Sequence, residues 1–204
     1  MNWRVYKLIQ LDIVVRLGRG KFALGVHTQY KPYTSLRFSR INNLIKNRFP
    51  YIQFCIWNSS SIIEFGQHIP KTNTTYIDVE RDAAESVYYL LKDEYSEVFL
   101  RPGINAINEY ISDLDKPIIV RTLVTEAPLQ LIHGILTITI EKLLVDLFSD
   151  EDFTLLQSNE LTHIYRNAFD RYSVNKSKLL RYADRKRKKK ELEIFLKNYN
   201  LAAI

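Results

Sequence analysis

Apolar residues recur along this chain at two different spacings, and the switches between them outline its elements. Between Asn2 and Asp12, Val5, Leu8, Ile9 and Asp12 follow the i, i+3, i+4, i+7 order of a helix, apolar in all but the last, with Arg4, Lys7 and Gln10 on the opposite side. Ile13-Val14-Val15-Arg16-Leu17 and Lys21-Phe22-Ala23-Leu24, closed by Gly18-Arg19-Gly20, predict a hairpin. Tyr30-Lys31-Pro32-Tyr33-Thr34 reads as a linker, because proline biases its preceding residue away from helix. Ser35 to Phe49 carries Phe38, Ile41, Leu44, Ile45 and Phe49 on one stripe and is ended by Pro50. Strand-like runs at Tyr51–Trp57, Tyr76–Val79, Glu97–Leu100 and Lys116–Arg121 then alternate with helical patterns at Asp82–Lys92 and Ile104–Ile111. That order predicts an α/β fold, a sheet covered by helices, with α+β as the alternative. Gln130–His133 and Ile135–Ile138 predict a second hairpin across Gly134, and the remainder reads as helix: Ile140 to Phe148, Asp152 to Tyr172 and Lys176 to Tyr199.

A helix followed at once by a basic hairpin is the back half of a winged helix, in which the helix enters the major groove and the wing lies on the neighbouring backbone. On that reading Asn2, Trp3, Arg4 and Lys7 are the candidate DNA-binding residues of the helix, with Trp3 equally suited to packing against the wing. Arg16 and Lys21 are placed for phosphates, and Arg19, at the glycine-flanked tip, for the minor groove. One helix and one hairpin bury too little apolar surface to fold alone, so the segment is expected to dock on the rest of the chain or to continue upstream of Met1. The expected organisation is a partial winged helix over 1–28, a linker over 29–34 and an α/β domain with C-terminal helices over 35–204.

Charge supports a polyanionic partner. Residues 1–48 hold ten Lys and Arg against one acid, residues 49–172 nine against nineteen, and residues 173–204 ten against three. Two basic ends thus flank an acidic middle, and each cation set on a phosphate releases counterions and adds affinity whatever the base sequence. The run Arg185-Lys186-Arg187-Lys188-Lys189-Lys190, read as part of one helix, is foremost a solvated face and secondarily an auxiliary phosphate contact. No apolar run approaches the ~20 residues of a bilayer span, and the start lacks the order of a secretory signal, so a cytoplasmic protein is expected.

The sequence offers little for catalysis. Cys55, the single cysteine, lies in an apolar run and reads as core filler. Glu64, Asp78 and Glu80 resemble a metal-ligand set of a PD-(D/E)xK nuclease, but Asp82 stands where that chemistry needs lysine. These acids are therefore expected to face solvent or pair locally with Arg81. His27, His68, His133 and His163 lie in four segments without ligand spacing, and no P-loop, nucleophile elbow or dinucleotide fingerprint is present. A non-enzymatic protein with neither metal nor cofactor is expected. A non-catalytic protein-interaction module and a degenerate nuclease are the alternatives to DNA binding.

In order, Asn2-Trp3-Arg4-Val5-Tyr6, Gly18-Arg19-Gly20-Lys21-Phe22-Ala23-Leu24, Phe54-Cys55-Ile56-Trp57, the stretch Asp78 to Val87, Val98-Phe99-Leu100-Arg101-Pro102, Glu126-Ala127-Pro128-Leu129, Glu141 to Leu147 and Asn167 to Tyr172 together resemble the AbiEi-like antitoxins of bacterial type IV toxin–antitoxin systems. The resemblance implies a winged helix that binds operator DNA and represses its own operon. It also implies an α/β antitoxin domain that counteracts a nucleotidyltransferase-like toxin without a stable complex. The chain begins at the recognition helix, where that family has two helices ahead of it.

Overall fold

The computed structural model describes residues 3–10, 14–18, 20–24, 29–66, 73–156 and 159–201. At the amino end, helix α1 (Trp3–Gln10) precedes an antiparallel hairpin of β1 (Val14–Gly18) and β2 (Lys21–Leu24), with an irregularity between Arg16 and Gly18 and a left-handed Gly20 in the turn. The backbones of β1 and of α8 (Lys176–Arg185) come within 8 Å, so the hairpin docks on the carboxyl-terminal part of the chain. The residues read as a linker are anchored as well: Tyr30 is buried against Phe65 and Tyr172.

The centre is a four-stranded mixed sheet ordered β3-β4-β6-β5: β3 (Phe54–Asn58), β4 (Thr75–Val79), β5 (Val98–Leu100) and β6 (Ile118–Thr122). β3 runs antiparallel to β4, whereas β4, β6 and β5 are mutually parallel. Alternation along the strands sorts side chains onto two faces. Phe54, Ile56, Ile77, Val79, Ile118 and Val120 form one apolar core with Phe38, Ile41 and Ile45 of α2 (Leu36–Arg48) and with Val87 and Leu91 of α4 (Ala84–Glu94). Helix α2 starts where the sequence predicts, because the hydroxyl of Ser35 accepts from the Phe38 amide. The short helices α3 (Ser60–Ile63) and α5 (Ile104–Glu109) fill connections, and Ile62 and Ile107 join the core on the sheet's other side.

That other face turns Trp57, Tyr76 and Ile119 toward α6 (Ile140–Ser149), α7 (Asn159–Arg171), α8 and α9 (Lys189–Asn198). A second hairpin, β7 (Leu129–Ile132) and β8 (Ile135–Ile138), closes through His133 and Gly134, both with positive φ, as a two-residue primed turn demands. The fold is α/β with C-terminal helices, as the strand–helix alternation predicts. Among the described residues, no helix is long and apolar enough to cross a membrane.

Two predicted helices are interrupted. The span from Asp152 to Tyr172 is a 3₁₀ turn over Glu151–Leu156 and then α7. The span from Lys176 to Tyr199 breaks inside its run of cations: Lys188 N–H donates to the Ala183 carbonyl and Arg187 N–H to that of Asp184, with Arg187 left-handed at φ 59°. This is a Schellman ending built on arginine where glycine is the usual choice. Arg187→Gly is therefore expected to raise stability by about 1 kcal/mol, read as a higher melting temperature, because it removes the Cβ clash of the left-handed conformation. An unchanged or lower melting temperature would show that the arginine side chain offsets that cost.

Candidate functional site

Of the seven residues predicted to meet DNA, three have described side chains. Trp3, Arg4 and Lys7 are all exposed on α1, Trp3 at 68%, and Lys7 Nζ lies 4.9 Å from the centre of the Trp3 ring. Spacings of three and four residues put Lys7 on the same side of the helix as the other two. Val5 and Ile9 are half-buried, while Leu8, predicted to join them, is 37% exposed. Arg16 and Lys21 occupy the paired strands of the hairpin, with side chains outside the described set. Asn2 and Arg19 lie outside the described residues.

A second constellation was not anticipated as a site. At the carboxyl ends of the parallel strands, where open α/β sheets form crevices, a cavity of about 390 Å³ is lined by Asp78, Arg101, Arg121, Lys142, Asp150 and Lys186 among others. Two of the lining residues belong to one cross-strand row: Asp78 of β4 faces Arg121 of β6, and on its other side faces Cys55 of β3, which is buried away from the cavity. Behind that row Trp57 stacks on Tyr76 with ring centres 4.4 Å apart. The Arg121 guanidinium lies 4.7 Å from the Tyr76 ring centre and 5.5 Å from that of Trp57, so its planar cation rests on the aromatic wall.

Every charge in the row is answered. Arg121 Nε donates to Asp78 at 2.8 Å, and Nη1 to Asp152 at 3.1 Å and Asp150 at 3.4 Å. Lys142 Nζ, on α6, donates to Asp78 at 2.7 Å and, one helical turn along, to Asp146 at 2.5 Å. Asp146 also accepts from the Tyr182 hydroxyl at 3.0 Å and from Lys186 Nζ at 2.9 Å, and Lys186 reaches Asp150 as well. Trp57 Nε1 completes Asp78 at 3.1 Å. β4, β6, α6 and α8 are thereby joined by ions whose mutual bonds offset the cost of taking them out of water.

These partners fix protonation. Burial pushes the Asp78 carboxyl up, but Arg121 and Lys142 outweigh it and hold Asp78 down at about 2. Burial likewise opposes ionisation of Asp146, and Lys142, Lys186 and Arg121 carry it well below the usual carboxylate range. Lys142 is held above an ordinary lysine despite burial, chiefly by Asp146 and then by Asp78. Asp150 differs: burial and the neighbouring Asp146 charge raise it against the pull of Lys186 and Arg121. Burial also pushes the Cys55 thiol far up, which keeps it an unreactive, protonated core residue. Asp78 therefore departs from the expectation that it faces solvent or pairs with Arg81; a carboxylate within a fully buried strand must meet a cation from another element.

Glu64 and Glu80 do not join it. Both are exposed, and Glu64 accepts from the Tyr172 hydroxyl at 3.2 Å. Among the described residues no three His, Cys, Asp or Glu side chains are grouped to hold a metal ion, so Glu64, Asp78 and Glu80 are not a ligand set. His133 and His163 are exposed, while His27 and His68 fall outside the described residues. Chemically, the buried network is a set of ion pairs locking sheet to helices.

Fold and sites together define an α/β protein with a basic helix–hairpin arm and an ion-locked sheet. It belongs to a family of unknown function, DUF6577, whose model matches residues 1–202. No curated protein matches the chain.

Proposed function

We propose that this protein is a DNA-binding antitoxin of a type IV toxin–antitoxin system. It acts in the cytoplasm, represses its own operon through the helix–hairpin arm, and counteracts a nucleotidyltransferase-like toxin without forming a stable complex with it. The observation that carries the DNA-binding reading is the exposure of Trp3, Arg4 and Lys7 on α1, directly ahead of an antiparallel hairpin. A helix so placed presents cations to base edges and phosphates, and an adjoining wing fits the flanking backbone. The antitoxin role rests on the family resemblance drawn from the sequence.

Fluorescence anisotropy with the duplex upstream of its own reading frame, at several salt concentrations, tests the first part. Specific, salt-sensitive binding is expected. Lys7→Ala is expected to weaken binding to all duplexes, and Arg4→Ala to relax base preference at one position by about 1–3 kcal/mol. A folded protein that binds no duplex at low salt overturns the operator role. Co-expression with the neighbouring toxin tests the second part: rescued growth without co-purification is expected, whereas a stable stoichiometric complex favours an interaction module.

A further inference from the structure

The two basic ends of the sequence, far apart along the chain, meet in the fold. β1 of the arm lies within 8 Å of α8, so the positive segment 1–48 abuts the positive segment 173–204. On α8 the buried residues Leu179, Tyr182 and Ala183, together with the inward-turned Lys186 that caps it, occupy one side. Lys178, Arg181 and Arg185 are exposed and fall within about 60° of arc on the outer side, given about 100° per residue. Arg185 pairs with Glu126, whereas among the described residues Lys178 and Arg181 have no carboxylate partner. Seven residues of helix set the three cations along about 10 Å, a length over which one strand of a duplex carries about three phosphates.

We propose that Lys178 and Arg181, with Arg185 beside them, form a second contact for the sugar–phosphate backbone of the duplex that α1 and its hairpin engage. The inference rests on the DNA-binding reading above and extends its footprint from the arm to the carboxyl-terminal helices. Such a contact carries no base information: it sets register and affinity while α1 reads sequence. It also gives the surplus of cations at the carboxyl end a role that core packing does not, since Leu179 and Tyr182 already fix α8 in place.

The test compares the full chain with Lys178→Ala/Arg181→Ala on the upstream duplex, recording affinity across a salt series. Both side chains are exposed, so the melting temperature of the double variant is expected to match that of the parent. The slope of log affinity against log salt is expected to fall by about 1.8, roughly 0.9 for each phosphate that is no longer neutralised, with base preference unchanged. An unaltered slope, with the parent binding normally, overturns this second anchorage and leaves the arm's role standing. A parent that binds no duplex at low salt overturns both. A double variant with normal slope but altered base preference also overturns the inference, because it would make these residues readers of sequence.

Discussion

Asp146→Ala is expected to cost about 3–5 kcal/mol of folding free energy. The carboxylate accepts from Lys142, Lys186 and the Tyr182 hydroxyl and lies 3.7 Å from Arg121, so its removal takes one carboxylate from each of three enclosed cations, which keep Asp78, Asp150 or Asp152, and leaves the Tyr182 hydroxyl without its acceptor. Denaturant titration measures the loss, and Asp146→Asn, which keeps the shape without the charge, is expected to be nearly as damaging. Adding Lys142→Met to Asp146→Ala provides the diagnostic: the pair is expected to be less destabilised than the sum of the singles, because both singles break the same Lys142–Asp146 ion pair. Strict additivity, or a cost below about 1 kcal/mol, would mean that water reaches the network and shields it.

Arg121→Met is expected to be comparably destabilising near neutral pH, through the opposite sign of charge. Four carboxylates, those of Asp78, Asp146, Asp150 and Asp152, lose their shared cation, while the methionine stem fills the space beside Tyr76 and Trp57. The pH dependence separates this from a mere packing defect. In the parent, Asp78 is held near 2 when folded, below its unfolded value, so its contribution is complete above the unfolded pKa and disappears as pH falls through about 2. In the variant the crowded carboxylates bind protons more readily than in the unfolded chain, so stability is regained as pH falls. The difference between parent and variant is therefore expected to narrow in mildly acidic buffer. A gap independent of pH between 4 and 7 would assign the defect to packing alone.

The layered fold was legible in the residues because each element follows one spacing. Phe38, Ile41 and Ile45 mark a helical stripe, and the buried strands read as short β-branched and aromatic runs. The arm was legible for the same reason, down to the glycine-bearing turn. The ionic network was not, because its members come from positions 78, 121, 142, 146, 150, 152 and 186, and only the fold gathers them. A partial signal existed: Asp78 within Tyr76-Ile77-Asp78-Val79, Arg121 after Ile118-Ile119-Val120, and Lys142 in the apolar run Ile140 to Leu147 are charges where apolar neighbours announce burial. Lys186 gave none, since nothing in six successive cations marks the one that turns inward. The break after it was equally silent, because the left-handed position that glycine would have announced is filled by Arg187.

The two tryptophans divide the molecule optically. Trp57 is enclosed between Tyr76, Phe153 and the Arg121 guanidinium, while Trp3 stands in solvent on α1 beside Lys7. With no others in the chain, Trp3→Phe leaves tryptophan emission that reports only the state of the sheet, and Trp57→Phe leaves a lamp on the arm. The chain thus carries intrinsic probes able to time the opening of its interior separately from events at its amino-terminal helix.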